Sequence, residues 1–392
     1  MTRIRPHRET GDHDALLIDA LRSMFRPEDG PSAARRLADL TDEQQSALLA
    51  RALRQEIGPL IALRLLSIGG LSEDTRAAAR RMHCDNLARN LYIRAETDRW
   101  VGLFAEAGIP SWPLKGAGAS TLLYDDLGAR TCADIDLLVR TKDFRAALRI
   151  ASARGFEPAG QAAALRDPDL KAIDLQPRDP AVAYSLDLHS CIERPLLAPI
   201  DHRDFWRSPE GVGAGAGRSL PLDLTGFVLC LHLWRHGFTL KTLVDFAAFV
   251  HRFDDQVPAV RRRLEACGAR DGLDLALLMA HRVLGVRSGT LPEIRAKTIM
   301  LPLLERCLRT PFADRGRYFG WLVVPLQFDG FARPFARVGA HLLRPPVSDG
   351  RLHLVSRLAR LGRTITDAAL PHRRVAGRPK RNHETGTLDH LR

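Results

Sequence analysis

Two aspartates one residue apart, Asp134 and Asp136, interrupt the apolar run at 133–139. Alternate residues of a strand point to the same face. A strand here carries two carboxylates on one side of an element otherwise made of core residues. Like charges so close repel each other, which calls for a compensating cation. A site built from such oxygens suits Mg²⁺ or Mn²⁺. Pro113, Leu114 and Lys115 lead into Gly116, Ala117 and Gly118, a glycine-bearing turn one helix-length ahead of the two acids.

The pattern around that centre changes period several times. A short strand is expected at 109–115, a glycine-led helix at 116–124, a strand at 133–139 and an amphipathic helix at 142–155 closed by Gly155. Short strands follow at 156–159 and 172–175, and a clearer one at 183–189. Strand–helix–strand–helix followed by further strands describes a small mixed sheet. Before it, 12–95 reads as helices. Thr41 stands three residues ahead of Gln44 at capping-box spacing, and Ser72 opens a long helix toward Ala107. After it, helices return from Leu224 to about Val286, with Leu240, Leu243, Val244, Ala247 and Val250 on one apolar face.

The predicted fold class is α+β, a small mixed β-sheet core flanked by helical regions. The expected divisions are an N-terminal helical region at 1–108, an α/β core at 109–210, a C-terminal helical domain at 211–330 and a basic, partly disordered tail at 331–392. At 392 residues the chain exceeds one typical core, which agrees with such a division. The glycine-rich stretch at 211–217 reads as a connector, because no Lys-Ser/Thr follows it as a P-loop requires.

Charge placement narrows the partners. The formal charge is +12, yet residues 331–392 hold thirteen Lys/Arg against four Asp/Glu. The basicity is largely a property of the tail, so any nucleic-acid contact is expected through 331–392 and not through the folded body. Val375 to Arg381 includes Gly377-Arg378-Pro379, a minor-groove-like core, but the short, single occurrence reads better as part of a solvated basic tail. The six cysteines are scattered without a CxxC pair, which fits reduced, buried thiols. No signal-like or membrane-spanning apolar run occurs, so no membrane partner and a cytoplasmic setting are expected.

Nucleotidyl transfer needs a phosphate pocket, a divalent cation and an acceptor oxygen aimed in line. Gly116, Ala117 and Gly118 allow backbone amides at a helix start to approach phosphate. Lys115 and Arg130 flank that turn as candidate phosphate ligands. Asp134 and Asp136 are candidate metal ligands. Asp187, in the strand-like 185–189, joins them if its strand pairs beside the first; it can then bind a second metal and help deprotonate an acceptor hydroxyl.

Leu114-Lys115-Gly116, Leu123-Tyr124 and the run from Arg130 through Asp134 and Asp136 to Val139 resemble the uncharacterised nucleotidyltransferase family of the polymerase-β-like superfamily. More distantly, they are similar to the nucleotidyltransferase toxins of abortive-infection systems. Leu186-Asp187-Leu188-His189, Leu231 to His236 and Leu243-Val244-Asp245 match the first family's layout. The resemblance spans roughly 40–290. It implies a metal-dependent transferase that moves a nucleoside monophosphate from an NTP and releases pyrophosphate. It further implies Gly116 at the glycine turn, Asp134 and Asp136 as the metal pair and Asp187 as the third acid. It names no acceptor: a small molecule, a peptide or protein, or RNA. One departure is Gly116-Ala117 where the family has Gly-Ser or Gly-Gly, which removes a hydroxyl contact to phosphate.

Blander readings stand beside these. Asp134 and Asp136 read also as strand-end acids paired with Arg130, and Lys115 as a surface cation. His189 reads as an aid to deprotonation or as a structural hydrogen-bonding group. His232 and His236 have i, i+4 metal spacing, but pocket lining or packing fits them better because no third ligand is evident. Asp245 is expected to pair with Arg235 or Lys241, or to contact the nucleotide. Alternative functions are a catalytically silent nucleotide-binding or interaction protein of the same fold, and a nucleic-acid-binding protein acting through its tail.

Overall fold

The computed structural model describes residues 9–159, 170–194, 197–198, 200–207, 219–289, 300–310 and 323–330. The stretch at 211–217 and the tail at 331–392 lie outside the described residues. Four helices come first: α1 (Glu9–Phe25), α2 (Gly30–Ala38), α3 (Asp42–Arg54) and α4 (Gly58–Ile68). Thr41 caps α3 in the expected box: its Oγ1 accepts from Gln44 N at 3.3 Å, and its own amide donates to Gln44 Oε1 at 3.0 Å. The fifth helix, α5 (Glu73–Glu106), is capped by Ser72 and has 34 residues. At 1.5 Å per residue it is about 50 Å long, enough to pack on both the helical layer and the sheet.

The sheet contains β1 (Ser111–Pro113), β2 (Asp134–Val139), β3 (Phe156–Pro158), β4 (Ala172–Pro177) and β5 (Ser185–His189), in the order β1-β2-β5-β4-β3. Between β1 and β2 lies α6 (Ala117–Tyr124), and after β2 comes α7 (Phe144–Ala153). β2 and β5 are parallel; the other pairs are antiparallel. A parallel partner cannot be reached by a hairpin. Accordingly α7, β3 and β4 are all traversed before β5 returns beside β2.

Register separates the two faces. Asp134 lies opposite Ser185, Asp136 opposite Asp187 and Leu138 opposite His189. Across the next pair, Asp187 faces Asp174 and His189 faces Ala172. Directly opposed residues share a side, so the acids and His189 stand on one face. On the other face Ile135, Leu137, Val139, Ile173, Leu175, Leu186 and Leu188 pack with Ile93, Trp100 and Phe104 of α5 and with Phe144, Ala147 and Ala151 of α7. The Trp100 indole N–H donates to the Tyr184 hydroxyl at 3.0 Å, and that hydroxyl donates to Glu96 at 2.6 Å. Each large apolar side chain so buried contributes roughly 1.5–3 kcal/mol.

The remaining helices are α8 (Asp204–Arg207), α9 (Leu222–Arg235), α10 (Leu240–Arg252), α11 (Val257–Ala266), α12 (Arg270–Leu284) and α13 (Leu301–Arg309). A second apolar cluster joins Leu17, Leu48 and Ile61 from the early helices to Leu233, Leu243 and Leu277 from the late ones. It also takes in Leu138 from the acid-bearing face of the sheet. Helices from both ends of the sequence thus close over that face. None of the six cysteines forms a disulfide, and all but Cys84 are buried. No described helix is long and apolar enough to cross a membrane.

Candidate active site

The glycine turn is held beside β2 by a bond from Leu114 N to Asp136 O at 3.1 Å. Gly116 has φ +88° and caps α6 at its N-terminus. That φ is reached cheaply only without a Cβ. Helix α6 ends at Asp125, and the segment beyond it is fastened before it enters β2. Asn86 Nδ2 donates to the carbonyls of Gly128 and Arg130 at 2.6 and 3.0 Å. Asn90 Nδ2 donates to those of Leu127 and Arg130 at 2.6 and 2.7 Å. Ser120 Oγ donates to Asp126 O at 2.7 Å and accepts from Arg130 N at 3.0 Å. A turn, a short helix and a fastened return thereby place the Gly116 amide region and the acids at one edge of the site.

Asp136 is buried at the centre. Its Oδ1 lies 3.0 Å from His189 Nε2, and its Oδ2 lies 3.1 Å from Lys115 Nζ, which is also 3.9 Å from Asp134 Oδ2. The Lys115 contact is an ion pair without hydrogen-bond alignment, so Asp136 Oδ2 has no hydrogen-bond partner; neither has His189 Nδ1. One ligand atom each from Asp136, Asp187 and His189 lies within 4.8 Å of the others. Asp134, at the entrance, is more open, with 37% of its side chain exposed.

The charges sort themselves by surroundings. Burial alone would raise Asp136, but the Lys115 ammonium and the His189 hydrogen bond hold it well below the usual carboxylate range. Burial, then the neighbouring Asp136, raises Asp134. Burial together with Asp136, Asp134 and Asp174 pushes Asp187 up to about 7. Burial lowers His189 to about 4 despite its bond to Asp136. Its imidazole is therefore neutral, with the proton on Nε2 and a lone pair on Nδ1. Lys115 loses by burial and gains more from Asp136 and Asp134, so it stays charged.

The structure thus brings Lys115, Gly116, Asp134, Asp136 and Asp187 into one neighbourhood, with Ala117 and Gly118 in the first turn of α6. Arg130 differs from the rest. Its Nε donates to Asp245 Oδ2 at 2.8 Å, and Tyr124 donates to Asp245 Oδ1 at 2.7 Å, with Arg130 and Asp245 both buried. The cation beside the two strand acids is therefore Lys115 and not Arg130. The expected partners of Asp245 are corrected as well: Arg235 pairs with Glu193 at 2.6 Å and Lys241 with Glu56 at 3.5 Å. The His232 and His236 rings lie 4.0 Å apart, and no third ligand joins them among the described residues. Burial, then neighbouring positive groups, keeps both neutral.

Three features escaped the sequence reading. Lys171, just ahead of β4, is buried, and burial followed by Arg235 lowers it to about 7. Glu193 is buried beneath Arg235. Asp174 stands on the acid face beside Asp187. A lysine preceding a predicted strand was the only available signal, and such lysines are ordinarily solvated.

A sheet face bearing paired acids opposite a glycine-led helix start is a phosphate-handling arrangement. The sequence profile of an uncharacterised nucleotidyltransferase family matches residues 41–285, from the first residue of the α3 capping box to the glycine that closes α12. The chain belongs to that family. No curated protein and no solved structure matches it.

Proposed function

We propose that the protein is a polymerase-β-like nucleotidyltransferase, dependent on Mg²⁺ or Mn²⁺, that moves a nucleoside monophosphate from an NTP to an acceptor hydroxyl or phosphate. The observation that carries this reading is the register of Asp136 with Asp187, on the face that also holds Asp134 and His189. The donor set fits a hard divalent ion: Asp134, Asp136 and Asp187 supply carboxylate oxygens from one face of the sheet. Those three residues would hold the ion. When bound, it neutralises phosphate charge and favours attack at the α-phosphorus.

The chain's own residues do the rest. The amides at Gly116, Ala117 and Gly118 receive the nucleotide phosphates, and Lys115 adds positive charge beside them. His189 keeps the Asp136 carboxylate oriented through its Nε2–H. Asp187, in register beside Asp136, helps take the proton when the acceptor is a hydroxyl. The acceptor oxygen bonds to the α-phosphorus as the bond to the β-phosphate oxygen breaks, and pyrophosphate leaves. The test is an NTP panel with Mg²⁺ or Mn²⁺ scored for pyrophosphate, wild type against Asp136→Asn. Release that falls about 10³-fold or more in the variant supports the reading; equal release from both sinks it. Metal-dependent NTP binding with no release would instead favour a silent binding protein, a reading supported by Ala117 in the glycine turn.

A further inference from the structure

One lysine carries the counter-charge of the strand acids. Lys115 Nζ lies 3.1 Å from Asp136 Oδ2 and 3.9 Å from Asp134 Oδ2, with only 13% of its side chain exposed. Among the described residues no other lysine or arginine pairs with either acid, and Arg130 is taken by Asp245. Asp136 Oδ1 is engaged by His189 at 3.0 Å. Asp136 is left with Oδ2 for a cation, and that is the oxygen Lys115 faces.

The ammonium fits this position poorly. A charge-assisted N–H···O bond runs about 2.7–2.9 Å. The nearer contact here is 3.1 Å and makes no aligned hydrogen bond. Burial and the neighbouring Asp136 still raise Asp134, so a single positive charge leaves the pair under-compensated. A divalent ion brings twice the charge and binds carboxylate oxygens directly, at about 2.0–2.1 Å for Mg²⁺. Two cations cannot share one buried oxygen without strong repulsion.

Only the side chain of Lys115 is free to yield. On one side the backbone is pinned by Leu114 N donating to Asp136 O at 3.1 Å, and on the other Gly116 turns into α6 with φ +88°. The charge rides on a flexible four-carbon stem. Beside the turn lies open space, since a Cβ built on Gly116 meets no heavy atom within 4 Å. In the transferase reading the nucleotide phosphates approach there, and they would give a displaced ammonium a new counter-charge.

Resting on the transferase reading above, we infer that Lys115 is a resident counter-ion, which holds the metal position beside Asp134 and Asp136 in the empty site and passes to the nucleotide phosphates when the divalent ion enters. Without nucleotide the ammonium must be evicted from its acids with no new partner, so metal binding is weak. With NTP present the ammonium has a destination and the carboxylates are released. Metal and nucleotide therefore promote each other's binding.

The test is titration of the full-length protein with Mn²⁺, free ion being followed by electron paramagnetic resonance in the absence of nucleotide. Lys115→Met should bind Mn²⁺ at least tenfold tighter than wild type. Lys241→Met removes a positive charge that also bears on Asp134 but belongs to a pair with Glu56 at 3.5 Å; it should change the affinity less than threefold. Equal gains from both variants would reduce the effect to general electrostatics and overturn the inference. So would a Lys115→Met affinity no tighter than wild type. Either result leaves the transferase reading standing, whereas no Mn²⁺ on any of the three proteins sinks that reading and the inference together. At saturating Mn²⁺, Lys115→Met should bind a non-hydrolysable NTP at least threefold more weakly, and an unchanged affinity would refute the passage of the ammonium to phosphate. Metal-free Lys115→Met should melt below wild type and regain the difference with Mn²⁺. A variant unfolded with and without Mn²⁺ would mark the lysine as structural and defeat the proposal.

Discussion

On one side of β2, Ile135, Leu137 and Val139 meet Trp100 and Phe104; on the other, one residue out of step, Asp134 and Asp136 meet Lys115 and His189. The first face has every property of a core: apolar, closely packed and roofed by α5 and α7. The second buries carboxylates, an ammonium and an imidazole within a few ångströms of one another. Burying charge costs stability unless it is paired and hydrogen-bonded, and here Asp136 Oδ2 and His189 Nδ1 remain without hydrogen bonds. Alternation along six residues thus separates apolar packing on one side from buried charge on the other.

That division breaks most clearly under substitution of one residue from each side. Asp187→Asn should lower kcat by about 10³-fold or more, over 4 kcal/mol in the barrier. It should leave the melting temperature of metal-free protein unchanged or higher, because it relieves crowding with Asp136 and Asp134. A large loss of stability would show that the acid face is structural after all. Trp100→Ala is the mirror experiment. It should cost roughly 3–4 kcal/mol in denaturant unfolding through the cavity it opens, while activity per folded molecule stays close to wild type.

A pH titration sharpens the same contrast on the α9 side of the site. His232 and His236 are held neutral in the folded protein and take up protons freely once unfolded, at the ordinary value of 6.5. Their folded values are depressed, so the unfolded chain binds more protons below 6.5 and stability falls as pH drops through that value. The slope cannot exceed about 1.4 kcal/mol per pH unit for each imidazole. Partial exposure makes the real slope smaller. Melting curves between pH 7.5 and 5 should show the decline, and His232→Gln should flatten it. An identical decline in the variant would place the acid sensitivity elsewhere.

How much of this was legible follows from the range of the interactions. β2, β5, the capped α3 and the Ser72-led α5 were readable because period, cap and apolar run act within a few residues. The same-face placement of Asp134 and Asp136 follows from alternation alone, and Asp187 needed only one assumption, that β5 lies beside β2. The partner of Arg130 was not readable, because Asp245 arrives 115 residues later on α10. Lys171 was invisible for a similar reason: the groups that surround it, Glu193 and Arg235, come from a later loop and from α9, and nothing near it in sequence announces burial. Local physics specified the elements, whereas the charge partners depended on how the late helices settle over the sheet.

The smallest effect is expected at the turn that joins the two faces. Gly116 has φ +88°, and a Cβ built there would find no heavy atom within 4 Å. Gly116→Ala therefore suffers no collision; its cost is backbone strain, about 1–3 kcal/mol for an L-residue held at φ +88° and ψ −147°. The new methyl group would stand in open space where nucleotide phosphates are proposed to approach the amides. Two readouts separate the contributions. Unfolding should report the modest strain, while KM for NTP should rise severalfold with a smaller change in kcat, because binding at the turn is shared by ground and transition states. A loss of stability with KM unchanged would mean that the glycine serves only the fold, and the phosphates would have to be sought away from the start of α6.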